Sequence, residues 1–134
     1  MAVMDATVFV AMLNPNEPSH AASMAWFQQE LRLNQVISAP AILMAEAAAA
    51  ISRGIGNTNQ AHQVIRQLSR STSIRLHPVI MGLAEQAAVI AADHRLRGCD
   101  AIYVALAKEL GETLITLDKQ QLQRGTAVIA TSQP

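Results

Sequence analysis

Residues 97–118, RGCDAIYVALAKELGETLITLD, read as one complete helix-to-strand unit, and this unit constrains the fold more than any other stretch. Asp100 lies in the first turn of its helix, and Gly111 ends that helix as a C-cap. Residues 113–117 then alternate and branch like a buried strand, with Asp118 at its carboxyl end. One carboxylate therefore marks a helix start, and another marks the strand end where open α/β sheets bind their ligands.

The same alternation of strand and helix runs through the rest of the chain. Further strands are predicted at residues 2–4, 36–37, 74–77 and 128–129. Helices are predicted at residues 19–33, from Pro40 to residue 53, at 59–70 and at 81–96, with a short helical turn at 120–123. Residues 7–13 fit either a helix or more strand. Alternating elements of this kind predict an α/β class, with a parallel sheet and helices on both faces.

Length and composition limit the function classes. A chain of 134 residues is expected to form a single domain, 1–134, with a sizeable core. Its single cysteine excludes an internal disulfide and a zinc site built from several thiolates. The N-terminus lacks the basic region of a signal peptide, and no apolar run reaches the roughly 18 residues of a membrane span. We therefore expect a cytoplasmic protein with no membrane partner.

Four carboxylates are expected to meet at one edge of the sheet. Asp5 and Asp118 follow strands, and Asp100 opens a helix that leads back to the sheet. Glu46 is the only polar side chain in residues 41–51, and no lysine or arginine lies three or four positions away from it. A helix that is apolar all round is buried, and a buried carboxylate is costly unless it is paired or bound to a metal.

Each acid except Glu46 also has a purely structural interpretation. Asp5 and Asp118 suit ordinary caps for the helical segments that follow them. Asp100 suits the helix dipole without any function. The joint occurrence of all four acids instead favours a cation site, because clustered carboxylates repel one another. Ligands that are all oxygen select Mg²⁺ or Mn²⁺ over zinc.

These motifs together resemble the PIN-domain family, and within it the VapC-like toxin ribonucleases. The resemblance is carried by residues 4–7 (MDAT), by 39–40 (AP) followed by Glu46, by 96–107 (LRGCDAIYVALA) and by 116–118 (TLD). It covers nearly the whole chain, and no acidic position of the family pattern is missing. The resemblance implies a three-layer α/β/α sandwich whose central parallel sheet has five strands in the order 3-2-1-4-5.

The resemblance also implies an activity and partners. We expect a metal-dependent endoribonuclease, the toxin of a toxin–antitoxin pair, that uses one or two Mg²⁺ or Mn²⁺ ions. It would be a homodimer held with an antitoxin protein. Asp5, Asp100 and Asp118 are expected as metal ligands, and Glu46 as a further ligand or as the group that orients the attacking water.

Hydroxyl and basic side chains complete the expected site. Thr7 and Thr116 are candidates for fixing a carboxylate or a metal-bound water, although β-branched residues are also common at strand ends. The net charge is zero, but without the four site acids ten basic side chains face only six acidic ones. The candidate RNA-phosphate contacts are Arg53, Arg95, Arg97 and Lys119, each of which also fits an ordinary surface position.

Two other functions fit parts of the pattern. A phosphatase that uses Asp5 as its nucleophile also begins with an aspartate after a strand, but it would want a second aspartate at position 7, where this chain has threonine. A non-catalytic RNA- or protein-binding module would not need a full set of acids. Asp100→Asn separates these functions, because only a crowded metal site predicts lost cleavage together with higher stability in the absence of metal.

Overall fold

The structure is a computed structural model that describes residues 1–54 and 56–134. Its strands are β1 (Ala2–Met4), β2 (Ile37–Pro40), β3 (Ile74–His77), β4 (Thr113–Ile115) and β5 (Thr131–Ser132). Its α-helices are α1 (Ala6–Leu13), α2 (His20–Arg32), α3 (Leu43–Gly54), α4 (Thr58–Arg70), α5 (Met81–His94) and α6 (Gly98–Leu110), and a short π-helix spans Gln121–Gly125. The strands are all parallel and lie in the order β3-β2-β1-β4-β5, flanked by helices, which confirms the predicted α/β class and strand order.

The central strand β1 sets the position of the site. It pairs with β2 on one side and with β4 on the other, so that Met4 lies opposite Ile115. The backbone N–H of Asp5 then donates to the carbonyl of Ile115 at 2.9 Å. Asp5 and Thr116 therefore leave the sheet side by side at its carboxyl edge.

The ends of the unit at residues 97–118 follow from its glycines and its capping. Gly111 has a φ of 66°, the left-handed conformation of a helix C-cap, as the sequence predicted.

The ambiguous residues 7–13 belong to a helix, because the Asp5 side chain accepts the Thr7 N–H as an N-cap. Asp5 thus has the structural role that the sequence left open, in addition to its place at the sheet edge.

The prediction that Pro40 opens a helix is wrong. Pro40 is the last residue of β2 and pairs with His77, and α3 begins only at Leu43. The missing N–H of a proline is tolerated at a strand end, and here the next N–H, that of Ala41, donates to the His77 carbonyl at 2.8 Å. The strand predicted at residues 36–37 is therefore longer than predicted, and it extends to Pro40 at the carboxyl edge of the sheet.

The predictions for the last part of the chain were also inaccurate. Residues 128–129 are not a strand, because the N–H groups of Val128 and Ile129 both donate to the Gly125 carbonyl and close a turn. The final strand is β5, three residues later, and β4 ends at Ile115 instead of residue 117. Short apolar pairs do not distinguish a strand from a turn by their pattern alone.

The expectation that the helix around Glu46 is buried on all sides was wrong as well. In α3 only Leu43, Ala47 and Ile51 are buried, so this helix is not surrounded by core. Alanine is small enough to lie on an exposed face at little cost, so an alanine-rich run does not establish burial. Within the described part of the chain, no helix is long and apolar enough to cross a membrane.

Candidate metal-binding site

Asp5 is the most enclosed acid of the site, with 2% of its surface exposed. Its Oδ2 accepts hydrogen bonds from the Thr7 hydroxyl at 2.5 Å, the Thr7 N–H at 3.1 Å and the Thr116 hydroxyl at 3.1 Å. Its Oδ1 accepts from Nε2 of Gln121 at 3.2 Å. Four donors therefore hold this carboxylate in one orientation.

The two threonine hydroxyls connect the start of the chain to the segment after β4. The Thr7 hydroxyl accepts from the Leu117 N–H, and the Thr116 hydroxyl accepts from the Asp118 N–H, both at 3.0 Å. Each hydroxyl donates to Asp5 at the same time. The two residues thus fix Asp5 and also shape the backbone that carries Asp118.

Asp100 and Asp118 are joined by an arginine. Nε of Arg97 lies 2.7 Å from Oδ2 of Asp100, and its Nη2 lies 3.1 Å from Oδ2 of Asp118. The pKa of the Arg97 guanidinium is raised, first by its hydrogen bond to Asp100. The other oxygen of Asp118 accepts the Gln121 N–H at 2.9 Å, so Asp118 also caps the helical turn that follows it.

Glu46 reaches the same site from α3. Its Oε1 is buried and has no hydrogen-bond partner among the described residues. Desolvation by burial and then the charge of Asp5 raise its pKa from 4.5 to about 7, with a smaller contribution from Asp100. The neighbouring Tyr103 hydroxyl acts in the opposite direction. A buried carboxylate oxygen without a hydrogen-bond partner is costly, and a bound cation would offset that cost.

Charges of neighbouring acids act on Asp100. Burial is the main cause of the raised pKa of Asp100; Arg97 lowers this pKa, and the charges of Asp5 and Asp118 raise it. The acids at positions 5, 46, 100 and 118 come from four separate segments, and Glu46 is near enough to Asp5 and Asp100 for their charges to raise its pKa. Like charges near one another are unfavourable in the absence of a cation.

A divalent cation needs several oxygen donors close together. Across residues 1–54 and 56–134, no three histidine, cysteine, aspartate or glutamate side chains are arranged so that they could hold a metal ion. The chemistry nevertheless fits a hard divalent cation, since every candidate donor is a carboxylate oxygen and one of them is buried and unpartnered. The guanidinium of Arg97 bridges two of these carboxylates.

Two cavities adjoin the acids. One, of about 690 Å³, lies between α1 and α3 and is lined by Glu46 and Arg53 among others. The other, of about 420 Å³, is lined by Arg97, Asp118 and Lys119 among others. Three of the four predicted phosphate contacts therefore border the acids. The fourth, Arg95, is exposed at the end of α5 and lines neither cavity among their described residues.

Sequence reasoning missed two residues of the site. Gln121 is fully buried and holds Asp5, although it belongs to a segment predicted only as a short helical turn. Tyr103 is fully buried, and its hydroxyl has no hydrogen-bond partner within the described part of the chain. The position of Tyr103, three residues after Asp100, was the one available signal, because residues three apart share a helix face.

The fold and the site together define an α/β protein with a carboxylate pocket at the carboxyl edge of a parallel sheet. The PIN-domain family model matches residues 2–126. The chain therefore belongs to the PIN-domain family. No curated protein sequence matches it significantly.

Solved structures with the same fold include toxins and toxin–antitoxin complexes. Mycobacterium tuberculosis VapC20, a sarcin–ricin loop cleaving toxin, is 18% identical with a TM-score of 0.78, and the match covers 100% of both chains. FitAcB from Neisseria gonorrhoeae is 21% identical with a TM-score of 0.72, covering 98% of this chain and 96% of that one. VapBC2 from Rickettsia felis, bound to a DNA fragment from its promoter, is 13% identical with a TM-score of 0.71, covering 99% and 98%. At these identities the likeness establishes a shared fold.

Proposed function

We propose that this protein is a metal-dependent endoribonuclease that hydrolyses RNA phosphodiester bonds with Mg²⁺ or Mn²⁺. The observation that carries the proposal is the convergence of Asp5, Glu46, Asp100 and Asp118 at one edge of a PIN-domain sheet. Their mutual repulsion and the unpartnered oxygen of Glu46 are the features that a divalent cation would relieve. One or two ions are compatible with four carboxylates.

Each acid has a distinct task in this proposal. Asp5, Asp100 and Asp118 would hold the cation, and Thr7 and Thr116 keep Asp5 in a single orientation. A bound divalent cation would supply a water of lowered pKa and would offset negative charge on the phosphoryl oxygens.

Glu46 completes the acidic set as a further ligand or as the group that orients the attacking water. Its pKa of about 7 in the metal-free protein means that it exchanges a proton near neutral pH.

RNA would be held mainly through its backbone. Arg53 lines one of the two cavities beside the acids, and Arg97 and Lys119 line the other. Arg95 is exposed at the end of α5, two positions before Arg97. Aromatic residues make up only 3% of the sequence, so base stacking has little part in this proposal. Attack by water, instead of by the ribose 2′-hydroxyl, would leave a 5′-phosphate and a 3′-hydroxyl.

The phosphatase alternative is disfavoured by the surroundings of Asp5. The residue at position 7 is a threonine that donates to Asp5, where the phosphatase would place an acid. This arrangement suits a ligand or an electrostatic anchor better than a nucleophile.

The proposal extends to partners. The solved toxin–antitoxin complexes among the similar structures support an antitoxin protein as a partner. We place the protein and this partner in the cytoplasm. A homodimer is supported by the exposed apolar side chains Ile80, Met81 and Val89 on and beside α5. Light scattering on the purified chain tests the dimer, and growth arrest on induction in a bacterial host tests toxicity.

The deciding experiment is an RNA cleavage assay with three proteins: wild type, Asp100→Asn, and a control, Asp93→Asn, which changes an exposed acid on α5. Each protein is tested with Mn²⁺, with Mg²⁺ and with EDTA. Total RNA and a sarcin–ricin loop RNA serve as substrates, since the similar VapC20 cleaves that loop. The products are analysed for their end groups.

We expect cleavage by wild type and by the Asp93 variant with metal only, 5′-phosphate ends, and a loss of activity of about 100-fold or more in Asp100→Asn. Cleavage that persists in EDTA, or products that end in a 2′,3′-cyclic phosphate, would contradict the metal-dependent mechanism. Full activity of Asp100→Asn would remove Asp100 from the site.

A further inference from the structure

Arg97 contacts two acids of the site at once. Its Nε is 2.7 Å from Oδ2 of Asp100, and its Nη2 is 3.1 Å from Oδ2 of Asp118. The two acids are 18 positions apart in the chain and belong to different elements. The planar guanidinium reaches both because its donors point in separate fixed directions, which a lysine ammonium cannot reproduce.

The backbone holds Arg97 in this place. Arg97 is the N-cap residue of α6 and has an extended conformation, with φ of −64° and ψ of 149°. Asp100 lies three residues later, in the first turn of the same helix. The start of α6 thus presents the arginine and the aspartate to each other, and the segment after β4 brings in Asp118.

The guanidinium engages one oxygen of each of two proposed metal ligands. In both Asp100 and Asp118 that oxygen is Oδ2. The side chain of Arg97 is 68% exposed, so it can swing into solvent without disturbing the core. A single positive charge offsets only part of the repulsion among four carboxylates, whereas a divalent ion offsets more.

We propose that Arg97 is an internal counter-ion that competes with the divalent cation for Asp100 and Asp118, and that metal binding displaces it from both. This inference rests on the proposed function, because it assumes the metal site. Arg97 steadies the acids in the metal-free protein and thereby weakens the affinity for metal. The displaced guanidinium is then free to contact an RNA phosphate. Arg97 would therefore pair with the acids in the metal-free protein and with RNA in the metal-bound protein.

The test measures Mn²⁺ affinity by calorimetric titration at low ionic strength, where electrostatic effects are least screened. Arg97→Gln removes the competitor. Lys108→Gln is the matched control, because it removes one positive charge from the exposed last turn of the same helix. We expect Arg97→Gln to bind Mn²⁺ roughly five- to tenfold more tightly than wild type, and Lys108→Gln to bind as wild type does.

A second readout follows thermal unfolding with EDTA and with saturating Mn²⁺. Without metal, Arg97→Gln should melt at a lower temperature than wild type, since the acids lose their counter-ion. With Mn²⁺ the deficit should disappear, because both proteins then have the same cation on the acids. Arg97→Lys keeps the charge but not the two-pronged geometry, and it should bind Mn²⁺ with an affinity between those of wild type and Arg97→Gln.

The outcomes separate this inference from the proposed function. If Mn²⁺ binds wild type but binds Arg97→Gln equally or more weakly, the competition is refuted and the metal-dependent function stands. If Mn²⁺ binds none of the proteins, the metal site fails, and both ideas fall together. Should Arg97→Gln not fold, the comparison of Arg97→Lys with wild type gives the same decision.

Discussion

Gln121 donates a hydrogen bond of 3.2 Å from its Nε2 to Oδ1 of Asp5, and so joins residues 116 positions apart in the chain. The glutamine is fully buried and begins the short π-helix after β4. π-Helical turns are rare and often occur at functional sites. Here the turn carries an amide to the most enclosed carboxylate of the pocket, so Gln121 acts as a positioning residue for Asp5.

Replacing Gln121 tests that role. Gln121→Leu keeps the approximate volume but removes the donor to a charged acceptor, so we expect the free energy of unfolding to fall by about 1–2 kcal/mol. Gln123→Leu, at an exposed position in the same π-helix, should change it by less than about 0.5 kcal/mol. Chemical denaturation in EDTA measures both. Equal losses of unfolding free energy in the two variants would show that the hydrogen bond to Asp5 contributes nothing to stability.

Thr116→Val tests the hydroxyl that links β1 to the segment after β4. Valine has nearly the same shape, but it cannot donate to Asp5 or accept from the Asp118 N–H. We expect a loss of about 1–3 kcal/mol, because two polar groups lose a partner in a buried place. Thr113→Val, at a half-buried position on β4, is the control and should be close to neutral. A neutral Thr116→Val would contradict the hydrogen-bond network described above.

The stability of the metal-free protein should depend on pH through Glu46. Its pKa rises from 4.5 to about 7 on folding, so the folded protein holds this proton more tightly than the unfolded chain does. The stabilisation is therefore complete below pH 4.5 and is lost as the pH rises to about 7. We expect a decline of about 1–2 kcal/mol over this range, after allowance for solvent screening of a half-buried group.

Glu46→Gln provides the comparison for that pH profile. Unfolding is followed in EDTA at several pH values, and the difference between the variant and wild type isolates the contribution of Glu46. The pKa of Asp100 is raised in the same direction, so a smaller slope of the same sign should remain in Glu46→Gln. Parallel pH profiles for the two proteins would show that Glu46 does not carry the effect.

The C-cap of α6 can be tested with two alanine substitutions. Gly111 has a φ of 66°, and Gly111→Ala forces a side chain into the left-handed region at a cost of about 1 kcal/mol. Gly82 lies in α5, and a Cβ there meets no described atom within 4 Å, so Gly82→Ala should be neutral or slightly stabilising. Thermal unfolding compares the two. A stabilising Gly111→Ala would contradict the capping geometry.

The proposed RNA contact at Lys119 predicts a change in salt dependence. Lys119 borders the cavity that Arg97 and Asp118 also line. Lys119→Gln should weaken RNA binding and reduce the slope of log affinity against log salt by about 0.7–1. Arg70→Gln, an exposed position at the end of α4, is the control and should leave the slope unchanged. Binding is measured with Asp100→Asn as the background, so that the RNA remains intact.

Much of the fold was readable from the sequence, because its signals are local. The C-cap glycine of α6 and the alternation of helical and strand patterns lie within a few residues of the elements that they delimit, so they can be recognised in the sequence. The parallel class followed from their order, whereas the strand order 3-2-1-4-5 came from the family resemblance alone. The errors at Pro40 and at residues 128–129 arose where hydrogen bonds to a distant strand or to Gly125 decided the boundary.

The sequence by itself determined the candidates for a site, since Glu46 stands alone in an apolar run and three aspartates stand at the ends of elements. Only the tertiary structure decided how they are held. Gln121 reaches Asp5 across 116 positions, and Arg97 bridges Asp100 and Asp118. The physical reason is that a carboxylate in an apolar run is costly to bury, which the sequence pattern alone reveals. The contacts of Gln121 with Asp5 and of Arg97 with Asp118 depend instead on how distant segments pack around β1 and β4, which no local pattern encodes.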